Sequence, residues 1–160
     1  MSVTNYSQLI YDSTGRNKPS HHVYAAFGEF GGKLVCKIGY SSQLQQRLYT
    51  LARSGGVQIT FAKALTAYGL SNARQMEAML HTALAKYRDH HEWFLFDPKR
   101  PGDKEQFKLA WGLVGRSYGA IEIAVDVDEL REYGIQKQRE HLRRGGRKGK
   151  VSKRWRSTPR

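Results

Sequence analysis

The chain has 160 residues, which is enough for one ordinary domain with an appendage, and its 39% hydrophobic and 26% charged residues are typical of soluble globular proteins. No apolar run approaches the roughly 20 residues that span a bilayer. The N-terminus lacks the basic and then apolar pattern of a secretory signal, and the single Cys36 excludes an intrachain disulfide framework. We therefore expect a cytoplasmic protein.

The formal net charge of +13 is concentrated near the C-terminus. Residues 131–160 hold twelve Lys or Arg and two Glu, a net of +10, so the rest of the chain is nearly balanced. Such a segment attracts polyanions, most often nucleic acid, although it also fits a tail that only aids solubility. The side chains that we assign to nucleic-acid contact are Arg143, Arg144, Arg147, Lys148, Lys150, Lys153, Arg154 and Arg156.

The first half of the chain predicts a hairpin, a helix and a strand. Residues 23–30 and 33–40 are rich in β-formers, and Gly31-Gly32 between them predicts a tight turn because both glycines accept positive φ. Alternation places Tyr24 on the opposite face from its neighbours. Apolar residues at helical spacing then predict a helix through Leu44, Leu48 and Leu51, and residues 57–65 alternate as a third strand.

The second half predicts a long helix over residues 71–88, with an apolar stripe at Met76, Leu80, Ala83 and Tyr87, and then a strand over residues 92–96. Residues 99–103 look like a linker, and a helix, a strand and a last helix follow. We expect an α/β (α+β) fold with a small mixed sheet in the order β-β-α-β-α-β. The predicted divisions are an arm (1–20), a body (21–98), a partly helical extension (99–142) and a basic disordered tail (143–160).

Several short motifs in the body resemble the GIY-YIG nuclease superfamily. Residues 22–24 (HVY) match its first motif, residues 37–39 (KIG) match its second, and Arg47 follows eight residues later. Glu77, on the predicted long helix, matches the metal-binding glutamate. The KIGYS segment and the later EWF are similar to a phage- and bacteria-associated branch, which implies a bacterial cell or a phage-infected host. The resemblance covers residues 22–96.

The resemblance implies hydrolysis of DNA phosphodiester bonds by an endonuclease or nickase, with RNA as an alternative substrate. It implies one divalent cation, Mg²⁺ or Mn²⁺, held by Glu77. Arg47 would hold the phosphate through its planar fork. Tyr24 would take a proton from water, which requires a nearby positive charge because a free tyrosine titrates near pH 10.

Lys37 stands where the superfamily has its second tyrosine, and this departure leaves alternatives open. Lys37 could supply positive charge, or Tyr40 could supply the hydroxyl. His81, four residues after Glu77, could join it in proton transfer or only hydrogen-bond structurally. The departure also favours a rival function, a non-catalytic nucleic-acid-binding protein on the same scaffold. A third hypothesis is a phage or host protein-interaction factor.

Overall fold

The computed structural model describes residues 19–54 and 57–145, so most of the predicted arm and of the basic tail lies outside the described residues. The strands are β1 (His21–Phe30), β2 (Lys33–Ser41), β3 (Ile59–Ala67), β4 (Arg88–His90), β5 (Trp93–Phe96) and β6 (Glu122–Val125). The helices are α1 (Leu44–Ser54), α2 (Leu70–Ala83), α3 (Pro101–Ser117) and α4 (Val127–Gly145), with a 3₁₀ turn at Ala85–Tyr87. None of these helices is long and apolar enough to cross a membrane.

The six strands form one open sheet in the order β4-β5-β2-β1-β3-β6. The predicted α/β class is confirmed, and Gly31 and Gly32 form the hairpin turn with φ of 58° and 74°. All five strand pairings are antiparallel. We had expected a mixed sheet, and the observed sheet is purely antiparallel. The helical connection α1 does join two strands of the same direction, but β1 lies between β2 and β3 and pairs with both.

The sheet separates two hydrophobic cores, which makes the fold three-layered. One core lies under α2 and α3, where Leu80 and Trp111 pack on alternate residues of β1 and β2. The other lies under α1 and α4, where Leu48 and Leu130 pack on the opposite face. Tyr24 belongs to this second core, as the alternation along β1 predicts. Each face is therefore covered by two helices.

Helix α2 is shorter than the sequence predicts. It ends at Ala83, which is exposed, and Leu84 is the buried residue of the next turn. The chain leaves the helix there because β4 must pair with β5, and the ring of Tyr87 packs 5.0 Å from that of Phe96. The predicted stripe holds at Met76 and Leu80 and is wrong at Ala83.

Residues 99–142, predicted as an extension, contribute to the same sheet and cores. Lys99–Asp103 is not a free linker, because α3 begins at Pro101 and Asp103 Oδ2 accepts a hydrogen bond from the backbone N–H of Asp97 at 2.9 Å. Helix α3 packs in the first core, β6 pairs with β3, and α4 closes the second core. The body and this segment are therefore built on one sheet.

Candidate active site

Tyr24, Gly39 and Arg47 meet on the face of the sheet that α1 covers. Tyr24 and Gly39 are cross-strand partners in β1 and β2, and the Tyr24 side chain is fully buried. The phenol ring lies over Gly39, where any side chain would collide with it. Arg47 lies on the exposed side of α1, and its Nε donates a hydrogen bond to the Tyr24 hydroxyl at 3.1 Å. The fold thus brings together one residue from each predicted motif, Tyr24 and Gly39, and the helix arginine Arg47.

The protonation of Tyr24 and Arg47 follows from this contact. Burial raises the pKa of Tyr24 above its ordinary value of 10, and the Arg47 hydrogen bond and charge only partly oppose that rise. The negative charges of Glu92 and Glu77 raise it further. The same hydrogen bond raises the pKa of Arg47. The expected role of Tyr24 as the group that takes a proton from water stays a prediction, and it requires positive charge beyond that of Arg47.

The backbone of Ile38 connects this group to two further segments. Its N–H donates to the carbonyl of Glu92 at 3.2 Å, just before β5. Its carbonyl lies 3.2 Å from Nε2 of His81, on α2. His81 Nε2 is also 3.7 Å from Glu77 Oε1, so the predicted proximity of these two α2 residues is confirmed. The backbone of Ile38 thus contacts both the segment that carries Glu92 and the helix that carries Glu77.

Glu77 is a partly buried carboxylate whose charge is unfavourable in this setting. Only 16% of its side chain is exposed, and burial together with the charge of Glu92 raises its pKa to about 7. A carboxylate in this position gains from a nearby cation, and carboxylate oxygen is a preferred ligand of Mg²⁺ and Mn²⁺. In residues 19–54 and 57–145 no group of three or more His, Cys, Asp or Glu could enclose a metal. The donor set fits a cation held by one carboxylate and completed by water and phosphate.

Lys37 and Tyr40, the two candidates for the second tyrosine's role, lie on opposite faces of β2. Lys37 Nζ is 3.5 Å from Glu92 Oε2 and 5.6 Å from the centroid of the Trp93 ring, on the Tyr24 face. Tyr40 faces α2, and its hydroxyl accepts a hydrogen bond from Arg74 Nε at 3.2 Å. Lys37 is therefore the one on the Tyr24 face of the sheet.

Two residues of the site were missed by the sequence analysis. Glu92 changes the pKa of Tyr24, Arg47 and Glu77, so it lies within electrostatic reach of all three. The available signal for Glu92 was the EWF segment, which begins with this residue. Arg74 lies one turn before Glu77 on α2, and its i, i+3 spacing to Glu77 was the signal for a shared helix face.

The residues assigned to nucleic-acid contact are only partly described. Arg143 and Arg144 are exposed in the last turn of α4. The other six, Arg147, Lys148, Lys150, Lys153, Arg154 and Arg156, lie outside the described residues. Helix α4 contacts α1 next to Arg47, because the Tyr133 hydroxyl donates to Gln46 Oε1 at 2.8 Å and the Tyr133 ring packs edge-on against Tyr49. The basic helix is thus fixed to the helix that carries the site arginine.

Comparison with known proteins places the chain in a family. The model of the T5orf172 domain matches residues 21–108, which are more than half of the chain and include Tyr24, Arg47 and Glu77. No curated protein and no solved structure matches the chain. The chain therefore belongs to the T5orf172 domain family, a phage-associated domain found in nuclease-like proteins.

Proposed function

We propose that the protein is a GIY-YIG-type endonuclease or nickase that hydrolyses DNA phosphodiester bonds with a divalent metal, Mg²⁺ or Mn²⁺. The observation that carries the proposal is the hydrogen bond from Arg47 to the buried Tyr24, over Gly39 and next to Glu77. Phosphodiester hydrolysis needs a held phosphate, charge neutralisation and an activated water. The residues around Ile38 and Gly39 supply groups of these kinds.

Arg47 is suited to hold the scissile phosphate. Its Nε is engaged by Tyr24, and within the described part of the chain no contact engages its two terminal amino groups. These groups form a planar fork that matches two phosphate oxygens. Tyr24 fixes the direction of that fork, because it is buried and held by its strand. It acts as a positioning residue for Arg47.

Glu77 is suited to hold the metal, and His81 to orient Glu77. A divalent cation bound there would polarise the phosphate and stabilise the leaving oxygen. His81 lies between the Ile38 carbonyl and the Glu77 carboxylate, so it fixes the helix side chain relative to the strand. Lys37, on the face of the sheet that carries Tyr24, adds positive charge near the site. Tyr40 is held by Arg74 on the α2 side.

Helix α4 is suited to supply affinity for DNA. Its exposed C-terminal half carries Lys137, Arg139, Arg143 and Arg144 against Glu140. Contacts from such side chains to phosphates are strong and independent of sequence. Because α4 is anchored to α1 beside Arg47, DNA bound along it would lie near the site.

The test is cleavage of supercoiled plasmid with Mg²⁺ or Mn²⁺, with EDTA as a control. Glu77→Ala and Arg47→Ala are compared with Glu105→Ala and Arg116→Ala, which remove exposed charges of the same kind on α3. We expect metal-dependent nicking or cutting that only the first two substitutions abolish. Salt-sensitive DNA binding without cutting, unchanged in all four variants, would contradict catalysis and favour a non-catalytic DNA-binding protein.

A further inference from the structure

We propose that Glu92 is the proton acceptor for the attacking water at this site. The inference rests on the nuclease function proposed above, and it assigns the one chemical role that the residues already discussed do not fill. The proposed step needs a base that solvent water can reach, on the same side of the sheet as Arg47. Glu92 meets these requirements through its position, its neighbours and its exposure.

The position of Glu92 is fixed by its backbone. Pairing between β2 and β5 ends at Lys37 and Trp93, so Glu92 lies where β5 begins and where β2 continues without a strand partner on that side. Its carbonyl accepts the N–H of Ile38 at 3.2 Å, which ties it to the second motif. The backbone of Glu92 therefore lies at the open edge of β2, beside Ile38.

The direction of the carboxylate is set by Lys37. Lys37 and Tyr24 lie on the same face of the sheet, since Lys37 pairs with Ala26 and Gly39 pairs with Tyr24. Glu92 Oε2 is 3.5 Å from Lys37 Nζ, so the carboxylate lies on the face that carries Tyr24 and Arg47. Its side chain is 42% exposed, compared with 17% for Lys37. Water can therefore reach Glu92 while Lys37 holds one of its oxygens.

The other titratable groups at the site are already engaged. The Tyr24 hydroxyl is buried and accepts the Arg47 hydrogen bond. His81 lies between the Ile38 carbonyl and Glu77, and Glu77 is the proposed metal ligand. Within the described residues, Oε2 of Glu92 makes the ion pair with Lys37, and no hydrogen bond engages Oε1. Glu92 therefore has an oxygen left for a water molecule.

The step is an ordinary general-base hydrolysis. The water oxygen forms a bond to phosphorus while the bond from phosphorus to the leaving sugar oxygen breaks. The proton lost by the water passes to the Glu92 carboxylate and is later released to solvent. The leaving oxygen keeps the bonding electron pair and takes a proton from solvent. The charged groups around Glu92 during this step are Lys37 on β2, Arg47 on α1 and Glu77 on α2.

The test compares single-turnover cleavage of metal-loaded wild type with Glu92→Gln, Glu92→Ala and the control Glu29→Gln, which neutralises an exposed carboxylate at the hairpin end of β1. We expect Glu92→Gln to cleave roughly 10²-fold to 10⁴-fold more slowly, the usual cost of removing a general base, with DNA affinity unchanged or higher. Glu29→Gln should match wild type. Sodium formate added to Glu92→Ala should restore part of the rate, since a small carboxylate can enter the exposed space.

The outcomes separate this inference from the proposed function. A wild type that does not cleave DNA contradicts the proposed function and this inference together. A wild type that cleaves, with Glu92→Gln equal to Glu29→Gln, overturns only the role of Glu92. A slow Glu92→Ala that binds DNA and unfolds like wild type, but that formate does not rescue, also overturns the role as base. If thermal unfolding shows that Glu92→Gln or Glu92→Ala does not fold, Glu92→Asp is measured instead. It must then cleave at more than about a tenth of the wild-type rate for the inference to stand.

Discussion

The hydroxyl of Tyr24 lies so close to Gly39 that a Cβ on that glycine would stand 2.6 Å from it and 2.9 Å from the ring carbon Cζ. Real Cβ atoms essentially never approach other heavy atoms so closely. The glycine of the second motif is therefore required for packing, because the phenol ring of the first motif occupies the space above it. This contact also places the hydroxyl where Arg47 reaches it.

Replacing Gly39 should disturb both the fold and the site. We expect Gly39→Ala to lower the free energy of unfolding by about 1–3 kcal/mol, the usual cost of overpacking, and to abolish DNA cleavage. The matched control is Gly102→Ala in the first turn of α3, where a Cβ would meet nothing within 4 Å. Urea unfolding and plasmid cleavage measure the two effects. Equal stability of the two variants would contradict the packing argument.

Removing the Tyr24 hydroxyl should affect cleavage far more than stability. We expect Tyr24→Phe to lose at most about 1.5 kcal/mol of stability, because Arg47 can hydrogen-bond to water instead. Cleavage should fall by up to about 100-fold, since the guanidinium is no longer held in one direction. Tyr118→Phe, which removes a hydroxyl that donates to Gln75, is the control. Wild-type cleavage by Tyr24→Phe would rule out its positioning role.

The pKa of Glu77 predicts how stability depends on pH. Because burial and the charge of Glu92 raise this pKa from 4.5 to about 7, the folded protein binds a proton that the unfolded chain has released. The stability contributed by this proton is fully present below pH 4.5 and is lost as the pH rises through 7. Without divalent metal, the urea midpoint of wild type should therefore fall between pH 5 and pH 8.

The variant Glu77→Gln isolates this effect. Its urea midpoint should change less over the same pH range, because the amide does not titrate. Glu105→Gln, which neutralises an exposed carboxylate on α3, should follow wild type. Mg²⁺ added at pH 8 should raise the midpoint of wild type and not that of Glu77→Gln, because a ligand stabilises only a fold that binds it. Parallel pH curves for all three proteins would show that Glu77 is not the group responsible.

The basic end of α4 should control the salt dependence of DNA binding. Neutralising its four exposed cations to Gln should weaken binding, and the slope of log K against log salt should fall by about 0.9 for each phosphate that the protein no longer neutralises. The four positions are Lys137, Arg139, Arg143 and Arg144. The control neutralises four cations near the start of α3, at Lys99, Arg100, Lys104 and Lys108. Fluorescence anisotropy between 50 and 200 mM salt, as a rough working range, measures both; equal slopes in the two variants would contradict a specific role for α4.

Local patterns predicted the parts of the fold that depend on a single segment. Gly31-Gly32 identified the hairpin, and the alternation through Tyr24 identified its buried faces correctly. The end of α2 was predicted wrongly because the apolar spacing continues to Tyr87, whereas the pairing of β4 with β5 decides where the helix stops. A sheet order cannot be derived from periodicity, because it depends on contacts between distant segments.

In the candidate site, too, the sequence identified some residues, whereas other properties depend on contacts between distant segments. Tyr24, Arg47 and Glu77 were identified through the resemblance of their motifs. The register of β1 and β2 places Tyr24 against Gly39, and Arg47 reaches Tyr24 from α1. The part played by Glu92 could not be derived in that way, because it depends on the bond between its carbonyl and Ile38. The raised pKa of Tyr24 was equally inaccessible to sequence reasoning, since burial is a property of the packed core.

Tyr24 and Glu77 reach the site from opposite layers of the molecule. Tyr24 belongs to the core under α1 and α4, whereas Glu77 lies on α2, which covers the other core. A local opening of either layer would separate the two groups while most backbone hydrogen bonds remain. Proteins open in such parts at a lower free energy than they unfold as a whole. The proposed cleavage activity should then detect local opening that circular dichroism does not detect. It should be lost at lower urea concentrations than the helical circular dichroism signal.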